Sequence, residues 1–285
     1  MIEFKKYLPT HSESWILILF TAIVGGLAVG LFAIIPVLIF PESEGVITMI
    51  SYPLMFIPPY LYIRYKIKEQ SQGFFNESGD FSFPINSNDR FGKLGMAGSL
   101  LLLIPLVILF NLVAEPLSSW MGVPEFLKQL FEQITDNKIA GFITVVIFAP
   151  LFEEFLCRGV ILRGLLRYKS PISAIVLSAL MFGIMHLNPW QAIPATLVGI
   201  LMGWIYWKTG SLWLTIFIHF VNNGFSYFVT ILFPNLPQDT TYADLIPQGY
   251  YIPVYIVSFL IVAAILYLMN KSYDKPISYK ICPYR

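Results

Sequence analysis

Charge is what this chain has least of. Only 12% of its 285 residues are Asp, Glu, Lys or Arg, against roughly 25% in an ordinary soluble domain, while 56% are apolar. That balance excludes a soluble globular domain and points to an integral membrane protein. The two cysteines, Cys157 in an apolar run and Cys282 in the tail, are too few and too badly placed for a disulfide framework. The net charge of +1 calls for no acidic partner, and no basic patch with interleaved aromatics occurs, so nucleic acid is not an expected partner. Repeats and low-complexity tracts are also missing. The first apolar run follows a polar, charged start and lacks a small-residue cleavage site, so it reads as a retained helix rather than a removed signal peptide.

What the chain does have is apolar runs of the length a bilayer demands. About 20 mostly apolar residues cross a hydrocarbon core as a helix. Eight candidates fall near residues 14–40, 46–66, 94–114, 139–167, 171–187, 190–207, 211–233 and 250–270. Flanking cations orient them. Of the eighteen Lys and Arg, fifteen fall on one side: Lys5, Lys6, Arg64, Lys66, Lys68, Arg90, Lys93, Arg163, Arg167, Lys169, Lys208, Lys271, Lys275, Lys280 and Arg285. Lys128 and Lys138 fall on the other, and Arg158 lies within a helix. The fold class expected is therefore all-α: a polytopic membrane protein, a single bundle of about eight transmembrane helices over residues 1–285, with both termini cytoplasmic.

Two stretches do not span. Residues 69–93 are polar and rich in Gly, Asn and Ser, and read as a cytoplasmic loop without a core of its own, more a linker than a gate. Residues 124–136 begin with Pro at a first-turn position and place Phe126, Leu127, Leu130, Phe131 and Ile134 on one stripe. They read as an amphipathic helix on the outer membrane surface or as a short cap over the bundle.

Ionisable groups in a membrane helix cost at least about 2.5 to 3.5 kcal/mol each on insertion scales, so they face the bundle interior and often mark function. The candidates are Glu153, Glu154 and Arg158 on the fourth span, His186 at the end of the fifth, and His219, Asn222 and Asn223 on the seventh. The third histidine, His11, falls in what reads as an exposed N-terminal segment. A hairpin turning at Lys169 and Ser170 would set Glu153 level with His186. Glu154 and Arg158 are one turn apart on one face, while Glu153 points about 100° away. Arg158 can thus neutralise Glu154 and leave Glu153 to the cavity as the better general base. His219 and Asn223 share a face and could both donate to an oxyanion, whereas Asn222 turns away toward backbone or loop partners. Phe182, one turn before His186, reads first of all as core.

The motifs Glu153-Glu154-Phe155-Leu156-Cys157-Arg158, Phe182 to His186, and His219 to Asn223 appear in that order on three expected membrane helices. In this the chain resembles the CPBP family, also called Abi or CAAX-protease-like, of intramembrane endopeptidases, and no motif position departs from the pattern. The resemblance covers about residues 139–230. It implies that Glu153 and His186 activate the water that attacks a peptide carbonyl, that His219 and Asn223 stabilise the oxyanion, and that Glu154 and Arg158 hold the site together.

The expected cofactor set is empty. A zinc held by Glu153, His186 and His219 is the less favoured alternative, because the HExxH pair of zinc membrane proteases is absent and no free base would remain. Expected partners are a peptide or membrane-protein substrate and the lipid bilayer. A proton-coupled transporter and a non-catalytic immunity or scaffold protein on the same fold are the rival functions. Short loops and a short tail suggest a bacterial inner membrane. Cys157 needs no explanation beyond packing, Gly98-Ser99 lacks a nucleophile motif, and Gly79-Asp80 lies in the polar loop.

Overall fold

The computed structural model describes residues 7–72, 83–237 and 239–276, and every regular element among them is helical. In chain order these are α1 His11–Ile39, α2 Pro41–Glu69, α3 Gly92–Leu117, α4 Glu125–Asp136, α5 Lys138–Tyr168, α6 Pro171–Ile184, α7 Pro189–Thr209, α8 Leu212–Leu232, the one-turn α9 Tyr242–Leu245 and α10 Tyr251–Ser272. Six of them, α1, α2, α3, α5, α8 and α10, are long and apolar enough to cross a membrane, and the chain is a multi-pass membrane protein. The fifth and sixth expected spans exist as helices but do not join that six. α6 has only 14 residues, and α7, with 21, is diluted by Trp190, Gln191, Trp204, Trp207 and Lys208. The helix α2 runs on through Gln72, so the first residues of the expected 69–93 loop are helical.

Local chemistry sets the boundaries. Thr10 caps α1 through a reciprocal capping box with Glu13. Ser170 and Asn188 cap α6 and α7, each followed by Pro at the first helical position. Gly210, at φ 67°, ends α7 in the left-handed conformation. The turn between α5 and α6 falls at Lys169 and Ser170, where the spacing of the apolar runs places it.

The core gathers on α5, α6, α7 and α8, with α1 and α3 packed against it. Leu27, Leu31 and Leu38 of α1 and Ile252, Leu260 and Leu268 of α10 point outward. Apolar side chains on the outer face of peripheral helices suit a lipid solvent, as they would not suit water.

Three expectations change at the ends of the bundle. Residues 83–91 are not a loop outside the core: Phe83 and Phe91 are buried in it, and Tyr206 donates its hydroxyl to the Pro84 and Ile85 carbonyls at 2.9 and 3.0 Å. Asn86 Oδ1 accepts from the Leu212 amide at 2.9 Å, and Ser87 N–H donates to the Gly210 carbonyl at 2.8 Å. The strap thus satisfies the backbone at the α7–α8 turn, which composition alone cannot reveal. Residues 73–82, with Gly79 and Asp80, lie outside the described residues.

Arg163, counted above with the flanking cations, is 2% exposed and donates to the Phe83 and Gly159 carbonyls at 3.1 Å each. Residues 7–11 are not exposed either. Tyr7, Leu8 and Pro9 are buried, and His11 is half-buried with its ring edge-on to Trp15.

In α4 the proline is the N-cap, Pro124, one position before the helix. Leu127 is buried while Phe126 stays 62% exposed, and the Phe131 and Ile134 side chains lie outside the described set. At this end of the bundle Lys128 pairs with Asp239 at 2.9 Å and Trp190 donates to the Gly122 carbonyl at 2.6 Å.

Candidate active site

The site is built on α5, which is not a uniform α-helix. Two π-helical stretches, Phe142–Phe148 and Phe155–Leu162, bracket the α-helical segment Ala149–Glu154. The wider turns rotate the side chains that follow relative to an ideal helix, and such insertions recur at functional sites. Glu154 and Arg158 still meet: Arg158 Nη1 donates to Glu154 Oε1 at 2.6 Å, and both side chains are 0% exposed.

Two further groups hold this pair. Arg158 Nη2 donates to the Gly199 carbonyl of α7 at 3.1 Å, and the guanidinium lies over the Phe182 ring at 4.6 Å. The missing side chain of Gly199 makes room, since a Cβ there would stand 3.2 Å from Arg158 Nη2 and 3.1 Å from Ala179. A buried cation survives only where it is paired and hydrogen-bonded.

Glu154 is more than a counter-ion. His219 Nδ1 of α8 lies 3.1 Å from the same Oε1. A carboxylate can only accept, so Nδ1 carries the proton, and Nε2 is turned to the far side of the ring as an acceptor when the imidazole is neutral.

Phe182 is core, as its spacing suggests, and also a shared wall. Its ring meets His186 and His219 edge-on, with centroids 5.2 and 5.5 Å away. His186 lies two residues past the end of α6, in the tight turn to α7, where Asn188 donates to its carbonyl at 2.9 Å and Leu187 adopts a positive φ of 57°. Its Nδ1 is 2.9 Å from the Phe182 carbonyl, which makes Nδ1 the donor and Nε2 the free acceptor.

Glu153 is 7% exposed and faces away from the Glu154–Arg158 pair. Its Oε1 accepts from the Tyr52 hydroxyl at 2.7 Å, and its Oε2 is buried without a hydrogen-bond partner. Among the described residues no hydrogen bond joins Glu153 to His186. Nor do any three His, Cys, Asp or Glu side chains among them converge as a metal-ligand set, so the arrangement described here does not assemble Glu153, His186 and His219 around one ion.

Asn223 donates Nδ2 to the Val145 carbonyl on the π-helical stretch of α5 at 2.9 Å. Asn222 does not turn to a loop. It accepts from Asn111 of α3 at 3.0 Å and donates to Asn223 Oδ1 at 3.2 Å, forming a row of three amides.

Sequence reasoning therefore missed two residues, Tyr52 and Asn111. Both had a signal: Tyr52 precedes Pro53 in the middle of an apolar run, and Asn111 is the one amide in the run 94–114. Ser99 and Cys157 offer no nucleophile: Ser99 Oγ donates to the Gly95 carbonyl of its own helix, and Cys157 is fully buried.

No curated protein and no solved structure matches the chain. One family model does, described as type II CAAX prenyl endopeptidase Rce1-like, over residues 135–225, about a third of the sequence. All six polar motif side chains, from Glu153 to Asn223, lie inside that match, and the membrane segment that carries this site is similar to the CAAX-protease-like family.

Proposed function

We propose that the chain is an intramembrane endopeptidase that hydrolyses a peptide bond of a membrane-associated protein or peptide, using a water activated by Glu153 and His186. The observation that carries this reading is the division of labour between adjacent carboxylates. Oε2 is buried without a partner on both, but Glu154 Oε1 is held by the Arg158 guanidinium and by His219, whereas Glu153 Oε1 meets only the neutral Tyr52 hydroxyl. A carboxylate tied into a buried ion pair is spent on neutralising that cation, and one bonded only to a neutral hydroxyl is left to meet an attacking water.

His186 fits the same step. With Nδ1 donating to the Phe182 carbonyl, Nε2 can accept a hydrogen bond from the attacking water. The water oxygen bonds to the carbonyl carbon as its proton passes to Glu153. The charge then grows on the carbonyl oxygen, where Asn223 has one amide hydrogen left to donate and His219 can donate through Nε2 as the imidazolium. Collapse of the intermediate breaks the C–N bond, and Glu153 returns the proton to the leaving nitrogen. No metal enters this scheme; Glu153, His186 and His219 would be its ligands if one did.

The topology we infer is eight passages within one membrane-embedded unit, counting α6 and α7, with both termini on the cation-rich, cytoplasmic side of a cell membrane, bacterial by its short loops. The fifteen-to-two division of cations supports it, with Arg163 now counted as a buried cation near that face. The Lys128–Asp239 pair joins the two segments that would share the opposite side.

The test is cleavage of a fluorogenic farnesylated CAAX peptide by the full chain in liposomes. Glu153→Gln keeps the shape and removes the base, with an expected loss of about 10²- to 10⁴-fold in kcat. Wild-type cleavage by that variant would overturn the mechanism. Insensitivity of the wild-type rate to chelators is the expected outcome, and loss of activity restored by added zinc would favour the metal reading. Rescue of a deletion phenotype by Glu153→Gln, His186→Ala would point instead to a scaffold.

A further inference from the structure

A residue outside the three motifs, and outside the matched segment, reaches the proposed base. The helix α2 is interrupted by a 3-10 turn at Tyr52–Phe56, with Pro53 in its first turn. Proline has no N–H to continue the α-helical ladder and crowds the preceding turn, which accounts for the break in α-helical bonding there. The 3-10 turn is seated in the bundle. Gly25 of α1 faces it, and any Cβ at Gly25 would overlap the Met55 carbonyl oxygen. Phe56 stacks on Phe152 with centroids 5.2 Å apart, and the Tyr52 ring leans on Phe56 at 5.9 Å.

The stack fixes the Tyr52 ring through its apolar faces and fixes Phe152, the residue next to Glu153. The hydroxyl is then free for one task, donation to Glu153 Oε1 at 2.7 Å. A carboxylate held by one oxygen cannot rotate to offer either, and the oxygen left over, Oε2, is the buried one without a partner.

We propose that Tyr52 is a positioning residue for Glu153: its O–H pins Oε1 so that Oε2 is the oxygen that takes the proton from the attacking water. This rests on the reading of Glu153 as the general base. It makes the second span part of the active site, although the family match begins only at residue 135. The proton moves from the water oxygen to Oε2 while that oxygen bonds to the carbonyl carbon. The carbonyl electron pair moves onto its oxygen, and Tyr52 itself neither gains nor loses a proton.

The experiment compares the wild type, Tyr52→Phe, Glu153→Gln and the double variant, each as the full chain in liposomes, on the farnesylated CAAX peptide. Tyr52→Phe keeps the ring and its stack, so the thermal midpoint is expected to stay at the wild-type value. Misplacing a catalytic group by about 1 Å costs on the order of 10²-fold, so kcat is expected to fall about 10- to 100-fold with KM unchanged. The double variant is expected to be no slower than Glu153→Gln, because the hydroxyl acts only through that carboxylate.

Wild-type kcat in Tyr52→Phe beside an inactive Glu153→Gln would overturn the positioning role and leave the base standing. A rise in KM at constant kcat would overturn it too, as the signature of binding rather than orientation. Wild-type cleavage by Glu153→Gln would overturn both. Should Tyr52→Phe lower the thermal midpoint, Phe56→Leu serves as the control: it loosens the stack without touching the hydroxyl. An equal kcat loss there at equal destabilisation would show a structural role only.

Discussion

His219 Nδ1 and Arg158 Nη1 converge on one atom, Oε1 of Glu154, at 3.1 and 2.6 Å. The carboxylate thus joins α5 to α8 while neutralising the buried guanidinium that binds α7 through Gly199. Two helices meet at that oxygen, and the guanidinium carries the link to a third. Removing that carboxylate would strand one charge and release one imidazole from its tautomer.

Arg158→Ala leaves Glu154 fully buried with only His219 as partner. Breaking a buried pair by deleting one member costs about 3 to 5 kcal/mol. The expected result is a large fall in the thermal midpoint in detergent together with lost activity. Arg158→Lys keeps the charge but cannot serve Oε1 and the Gly199 carbonyl in one planar fork, so it is expected to restore only part of either.

Glu154→Gln tests the second duty. The amide oxygen can still accept from His219 or from Arg158, but a neutral amide can also turn its NH2 toward them, so the hydrogen bond that orients the imidazole is weakened. Oxyanion donors cost about 10²- to 10³-fold in kcat when lost. A fall of that order with KM near the wild-type value is expected from steady-state cleavage of the reporter peptide.

Gly199→Ala introduces a Cβ 3.1 Å from Ala179 and 3.2 Å from Arg158 Nη2. Overpacking of this kind costs about 1 to 3 kcal/mol. Since the displaced atom belongs to the guanidinium, activity is expected to fall more than stability does, which parallel melting and cleavage measurements would reveal.

Asn222→Asp keeps the acceptor for Asn111 and deletes the donor to Asn223 Oδ1. Asn223 then loses the bond that sets which way its amide faces. A reduced kcat at unchanged KM is expected, while Asn111→Ala, one step further along the row, is expected to be milder.

Phe83→Ala probes the strap. Truncating a fully buried Phe costs about 3 to 5 kcal/mol. The loss is expected to appear as destabilisation, because the Phe83 carbonyl that binds Arg163 belongs to the backbone and remains.

At the opposite end, Lys128 donates to Asp239 and holds its carboxyl below the ordinary 3.8. A depressed folded-state value stabilises above the unfolded one and is lost as pH falls through the folded one. The linkage therefore acts below about pH 4, and Asp239→Asn is expected to melt like the wild type at low pH and slightly below it at neutral pH.

Much of the site was legible because its alphabet is so spare. In a chain with 12% charged residues, Glu153, Glu154 and Arg158 in one apolar run cannot be surface decoration, and their spacing already separates the Glu154–Arg158 pair from Glu153. The strap was not legible. Phe83 sits in a stretch rich in Ser, Asn and Gly, and the carbonyls of Phe83 and Pro84 meet Arg163 and Tyr206 across 80 and 122 residues of chain. The expected depth of His186 on a helix also changed, because α6 ends at Ile184 and the histidine belongs to a turn.

What the sequence determined by itself is the solvent and the helical class, together with the few polar side chains a bilayer forces inward, because a bilayer penalises every charge and every unpaired backbone group regardless of context. What only the tertiary structure decided is the partners. Helical periodicity tells which residues share a face of one helix, but not which faces meet, and hydrogen bonds such as Tyr52 to Glu153 or Asn111 to Asn222 are made across 101 and 111 residues of chain.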